Sequence, residues 1–92
     1  MQFDWDKNKN NINIKKHKVD FNDVLPVFFD DYAISFEDNR YEYPDGQRMV
    51  IIGQSNDRLL YVAYADIDGS EIVRIISARK ANKSEIIIYN QG

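Results

Sequence analysis

Two segments of the chain carry side chains that can bind a phosphodiester and move a proton. Residues 5–17 contain several lysines and His17, the single histidine of the 92 residues. Residues 72–81 contain Arg74, Arg79 and Lys80. A guanidinium can bind a phosphate through two parallel hydrogen bonds, and an imidazole can transfer protons near neutral pH. Together the segments indicate phosphodiester chemistry that needs neither a metal nor a cofactor.

Each of these side chains also has a plain structural interpretation, and spacing alone leaves both open. Arg74 lies in a strand-like segment, on the alternate-residue face that we expect to point inward, with Ile72, Ile76 and Ala78. An arginine there needs either a carboxylate or a phosphate as partner, because a buried unpaired charge costs on the order of several kcal/mol. His17 could simply interact with the dipole at the end of a helix. The other cations could be solvated surface charges: Lys9, Lys16, Arg48, Arg79 and Lys80.

The composition predicts one small folded domain that spans residues 1–92. Hydrophobic residues make up 43% and aromatic residues 13% of the chain, which is enough for a packed core. There is no cysteine, so disulfides and thiolate metal sites are excluded. No run of about 18 apolar residues is present, and the N-terminus does not resemble a signal peptide. We therefore expect a cytoplasmic protein with no membrane segment.

Charge is distributed unevenly along the chain. The formal net charge is −3, which argues against a broad electrostatic attraction to nucleic acid. Residues 7–18, however, hold five lysines and no acid, residues 20–45 hold eight acids and one arginine, and residues 74–83 are basic again. A focused basic patch can attract a phosphate backbone even on an acidic protein.

The N-terminal third is predicted to be helical. Residues 3–5 form either a brief strand or an N-terminal tuck, and Asp6 can cap a helix that ends near residue 17. Lys9, Asn13, Lys16 and His17 then share one helix face, and Ile12 on an adjoining stripe can anchor the helix to a core. Asp20 is a second cap, for a short helix over residues 21–28 that Pro26 kinks or restarts.

The remainder predicts an antiparallel sheet closed by a helix. Residues 33–37, 47–54, 59–66 and 70–78 indicate about four strands, with a loop over residues 38–46 and short turns between the later strands. Residues 82–90 are ambiguous, because the run of isoleucines from Ile86 favours a strand. Asn82 with Glu85 three positions later is a capping pattern, and we predict a helix. The expected fold class is α+β.

The motifs resemble those of the BrnT family, the toxin ribonucleases of bacterial type II toxin–antitoxin pairs. The resemblance runs nearly end to end. It rests on the N-terminal pattern Phe3-x-Trp5-Asp6-x-x-Lys9-x-x-x-Asn13-x-x-Lys16-His17, then Arg48 with Ile52-Gly53-x-Ser55, then Arg74 to Ala81 without interruption, and finally Glu85-x-x-x-Tyr89. It also favours a helix at the C-terminus.

The resemblance implies a RelE-like fold and metal-independent endoribonuclease activity. It implies catalytic roles for Lys16, His17, Arg74 and Arg79, and substrate-binding roles for Arg48, Lys9 and Lys80. Glu85 and Tyr89 are second-tier candidates that orient or pack other groups. The implied partners are RNA and a cognate BrnA-like ribbon–helix–helix antitoxin, and operator DNA is contacted only through that antitoxin.

Four features depart from the family pattern: Gln47 stands where a glutamate is usual, Lys18 where a glycine is usual, the last helix is rich in isoleucine, and the chain is acidic. The alternative function is therefore a catalytically weak or inactive relative that only binds the antitoxin.

Overall fold

The computed structural model describes residues 1–39, 47–67 and 69–91. The elements in chain order are β1 (Gln2–Asp4), α1 (Lys7–His17), a 3-10 helix (Phe21–Phe29), β2 (Ile34–Glu37), β3 (Gln47–Ser55), β4 (Arg58–Asp66), β5 (Ile72–Lys80) and α2 (Lys83–Gln91). Most of the predicted loop over residues 38–46 lies outside the described residues. The predicted α+β class is confirmed, and α2 is a helix as predicted.

Over the residues that the structure describes, the sheet has five strands in the order β1-β5-β4-β3-β2. The four predicted strands pair antiparallel, and β1 adds a fifth strand that runs parallel to β5. Of the two alternatives predicted for residues 3–5, the brief strand is observed, over Gln2–Asp4. Its partner was not predicted, because three residues carry too little periodicity to identify one. β1 nevertheless matters, because it brings the first residues of the chain beside Arg74.

The 3-10 helix covers one face of the sheet. Phe21, Val24 and Val27 are fully buried and recur every third residue. A 3-10 helix has roughly three residues per turn, so this spacing places all three on a single face. They pack against a core that includes Ile51, Leu60, Val62, Val73, Ile75 and Ala78. One continuous 3-10 helix runs through Pro26, so the predicted restart there is wrong.

Asparagine side chains, rather than Ile12, anchor α1. Ile12 is 63% exposed, so its predicted anchoring role is wrong, whereas Asn10 and Asn13 are buried. The Asn13 side chain donates to the carbonyls of Val19 (2.8 Å) and Ala78 (2.9 Å), and it accepts from the Ala78 N–H (3.0 Å). Asn13 thus completes the hydrogen bonding of the β5 edge beyond the end of β1 and fixes α1 alongside it.

Candidate active site

A row of registered residues crosses four strands on the sheet face opposite the core. Arg48 of β3 pairs with Ala65 of β4, Ala65 pairs with Arg74 of β5, and Arg74 pairs with Asp4 of β1. Adjacent strands lie about 4.8 Å apart, so the backbones of the two arginines are separated by roughly 10 Å. Ala65 is only 1% exposed, and its methyl group leaves space between the two long side chains.

Arg74 lies on the opposite face from the one predicted. Val73, Ile75 and Ala78 are the buried residues of β5, and the Arg74 side chain is 47% exposed. A bulge explains the difference: Tyr64 pairs with Ile75 and Ala63 with Ser77, so one extra residue interrupts the alternation. The prediction that Arg74 shares the inward face with Ala78 is therefore wrong.

Asp4 is the partner of Arg74 on the same row. Its two carboxylate oxygens accept from Nε at 3.0 Å and from Nη2 at 3.1 Å of Arg74. The contact is the bidentate arrangement in which a carboxylate and a guanidinium fit best. Asp4 was not among the residues predicted for the site, because its position depends on the parallel pairing of β1 with β5.

The row forms one wall of a depression of about 360 Å³ that is also lined by Trp5 and Lys9. A shallower depression of about 180 Å³ lies beside it, lined by Lys9, Asn13, Lys16, His17, Ile76 and Ser77 among others. Lys9 and Ile76 belong to both, so the two depressions are contiguous. Arg48 and Arg74 thus line the larger depression, Lys16 and His17 line the smaller one, and Lys9 lines both.

Arg79 belongs to a different cluster. It lies on the same sheet face as Arg74, but its partner on β4 is Tyr61, four residues from Ala65 and hence about 13 Å along the strand. Its guanidinium lies 4.0 Å from the centre of the Tyr61 ring and binds both carboxylate oxygens of Glu85 at 2.8 Å. The hydrogen bonds with Glu85 raise the pKa of Arg79 and lower the pKa of Glu85.

The cluster of Arg79 and Glu85 also caps the N-terminus of α2. The Glu85 N–H donates to the Asn82 side chain and the Asn82 N–H donates to Glu85, each at 2.9 Å. This reciprocal pair is the predicted capping pattern, and it leaves Glu85 only 8% exposed. Within the described chain neither Arg79 nor the exposed Lys80 lines the two contiguous depressions.

Tyr89 connects α2 to the segment after the 3-10 helix. Its hydroxyl donates to Asp30 at 2.7 Å, and this hydrogen bond raises the pKa of Tyr89 to about 12. Burial raises the pKa of Asp30, but hydrogen bonds from the Gln54 N–H, the Tyr89 hydroxyl and the Tyr32 N–H outweigh burial and lower it. Asp30 thus joins β3 and α2 through its hydrogen bonds, and the sequence did not predict these contacts.

Neither a metal cluster nor a membrane helix is seen in the parts of the chain that the structure describes. Over residues 1–39, 47–67 and 69–91, no three His, Asp or Glu side chains converge in a way that could hold a metal ion. In the same ranges no helix is long and apolar enough to cross a membrane.

Comparison with known protein families assigns the chain to one of them. Residues 5–85 of the 92 match the model of the family described as "Ribonuclease toxin, BrnT, of type II toxin-antitoxin system". The chain therefore belongs to the BrnT family of ribonuclease toxins. The matched range includes β5 and the whole of α1 and ends at Glu85. A comparison with curated proteins gave no match.

Proposed function

We propose that this protein is an endoribonuclease that cleaves RNA without a metal, by attack of the 2′-hydroxyl on the adjacent phosphorus. The observation that carries the proposal is the row in which Arg48 and Arg74 lie on either side of Ala65, in a depression contiguous with the one that Lys16 and His17 line. Membership of a ribonuclease family supports the same reaction class. Because the RNA supplies its own nucleophile, the protein needs no reactive serine or cysteine.

In the proposed reaction a bond forms between the 2′ oxygen and phosphorus while the bond from phosphorus to the 5′ oxygen breaks. One of Lys16 and His17 accepts the 2′ proton, and the other donates a proton to the leaving 5′ oxygen. The products are a 2′,3′-cyclic phosphate and a free 5′-hydroxyl. A well-placed acid or base contributes about 10²–10⁴-fold to such a step.

The arginines neutralise charge on the phosphate. Arg74 binds the non-bridging oxygens while it keeps its contact with Asp4, and Arg48 binds them from the other side of Ala65. Preorganised cations of this kind stabilise the charge that develops in the transition state. Lys9 lies where the two depressions join and contacts the same backbone, and Lys80 is a peripheral contact for a longer RNA.

For Arg79, which the family resemblance makes catalytic, the contacts favour an indirect role. Its bidentate pair with Glu85 and its stacking on Tyr61 attach α2 to the sheet. We propose that Arg79, Glu85 and Tyr89 have a structural role and stabilise the surface around the site. The scissile phosphate is then contacted by Arg74 and Arg48.

The proposed partners follow from the family. A type II toxin is held by an antitoxin, and we propose a BrnA-like ribbon–helix–helix protein that also carries the complex to operator DNA. The proposed location is the cytoplasm, where the RNA substrate is found. The second candidate function is that of an antitoxin-binding protein without catalytic activity. This alternative is favoured by the ion pairs of Arg74 and Arg79, because each arginine already binds a carboxylate of the protein itself.

Purified protein and labelled single-stranded RNA in EDTA distinguish the two. The nuclease proposal predicts cleavage with 2′,3′-cyclic phosphate ends, and a loss of about 100-fold or more in Lys16→Ala and His17→Ala. Lys15→Ala is the matched control, since Lys15 is an exposed neighbour that lines neither depression. No cleavage by the folded wild type would instead support the antitoxin-binding function.

A further inference from the structure

Asp4 occupies an unusual place for an acid. It lies in the same row as two arginines, within a depression that we propose for a polyanion, and its carboxylate binds Arg74 through two hydrogen bonds. By charge alone an acid there weakens attraction to RNA. If the depression served only to bind phosphate, the site would be better without Asp4.

Stability does not explain the acid either. The Asp4 and Arg74 side chains are 43% and 47% exposed. Ion pairs with this much exposure contribute little to folding, because water screens them and because two side chains lose freedom. The Asp4 backbone already pairs with β5 through the strand, so the carboxylate is not needed to attach β1.

The geometry of the ion pair does explain why an acid occupies position 4. Arginine is a long side chain, and a bidentate carboxylate fixes both the position and the plane of its guanidinium. The hydrogen bond from Nε to Asp4 holds the Arg74 guanidinium at the β1 end of the row. There Arg74 lies on one side of Ala65 and Arg48 lies on the other. Cations that are fixed in advance stabilise a transition state without reorganisation during the reaction.

We propose that Asp4 is a positioning residue that orients Arg74 for the phosphate in the transition state, at the expense of RNA affinity. This inference rests on the proposed nuclease function. A general structural defect would lower both kcat and RNA affinity. Removal of the Asp4 carboxylate charge should instead lower kcat without weakening the binding of RNA.

The test is Asp4→Asn, which keeps the size of the side chain and removes its charge. We expect kcat to fall about 10–100-fold, as it does when a hydrogen-bonding partner that orients a metal-ligating side chain is removed. Binding of a non-cleavable 2′-deoxy oligonucleotide should stay the same or tighten. Asp66→Asn is the matched control, because Asp66 is an exposed acid adjacent to Ala65 on β4 and points to the opposite face.

A second readout does not depend on turnover. In the wild type the Nε–H resonance of Arg74 should be resolved and slow to exchange with water, and in Asp4→Asn it should broaden or exchange faster. An unchanged kcat in Asp4→Asn, weaker oligonucleotide binding, or an unchanged Arg74 resonance would each overturn the inference. If the wild type does not cleave RNA, the nuclease function fails first, and the resonance still decides whether Asp4 orients Arg74.

Discussion

The side-chain amide of Asn13 forms two hydrogen bonds with the backbone of Ala78, as a neighbouring strand would. This pairing holds α1 against β5 at the point where β1 has ended. The polar face of α1, with Lys16 and His17, is thereby placed next to the strand that carries Arg74. A buried asparagine, rather than an apolar stripe, therefore determines how the two halves of the site meet.

Asn13→Asp should destabilise the protein strongly. The substitution removes the donor that serves the carbonyls of Val19 and Ala78 and places a buried acid beside them. We expect the free energy of unfolding to fall by about 3 kcal/mol or more, measured by urea denaturation. Asn11→Asp, the same change at an exposed position of α1, should alter it by less than about 0.5 kcal/mol. Equal effects at the two positions would contradict the role of Asn13.

The pair of Arg79 and Glu85 should make stability depend on pH. Hydrogen bonds from Arg79 lower the pKa of Glu85 below its usual value of 4.5. The ionised carboxylate therefore stabilises the fold above about pH 4.5, and this stabilisation is lost as pH falls through the lowered pKa. Glu85→Gln should cost about 1–2 kcal/mol at pH 7, allowing for the partial exposure of Arg79.

The difference in unfolding free energy between wild type and Glu85→Gln should then shrink in acid. Urea denaturation at pH 7 and at several values below pH 4.5 measures it. A difference that stays constant over this range would show that the charge of Glu85 has no part in the contact.

Lys18 occupies a position that favours glycine. It ends α1 with φ of 60° and ψ of 32°, the left-handed conformation, and its N–H donates to the carbonyl of Ile14. A side chain in this conformation costs about 1 kcal/mol relative to glycine. A lysine at this position is therefore a cost in stability.

Lys18→Gly should raise the free energy of unfolding by about 1 kcal/mol. Lys15→Gly, which places glycine inside the same helix, should lower it by a similar amount. Thermal or urea denaturation of both variants measures the contrast. A destabilised Lys18→Gly would contradict the conformational explanation.

Local patterns predicted the elements well. The caps Asp6 and Asp20 and the reciprocal pair of Asn82 and Glu85 are where the sequence places them, because capping depends on neighbouring residues alone. The shared face of Lys9, Lys16 and His17 also follows from helix geometry, and these residues do line one depression.

Long-range features were not predictable in the same way. The bulge that turns Arg74 away from the core depends on how β4 and β5 pair, and the pairing of Asp4 with Arg74 depends on a parallel strand of three residues. The stacking of Arg79 on Tyr61 likewise joins residues of two strands. The partner of a charged residue depends on the register in which two strands pair, and this register cannot be inferred from the sequence of one strand.

The most direct test of the proposed site is the single-turnover cleavage rate of RNA by Arg48→Ala, Arg74→Ala and the double variant, with Lys83→Ala as a charge-matched control on exposed α2. We predict a loss of about 10²–10³-fold for Arg74→Ala, a smaller loss for Arg48→Ala, and a wild-type rate for Lys83→Ala, with all variants folded. Cleavage by folded Arg74→Ala at the wild-type rate would contradict the assignment of the phosphate to this row.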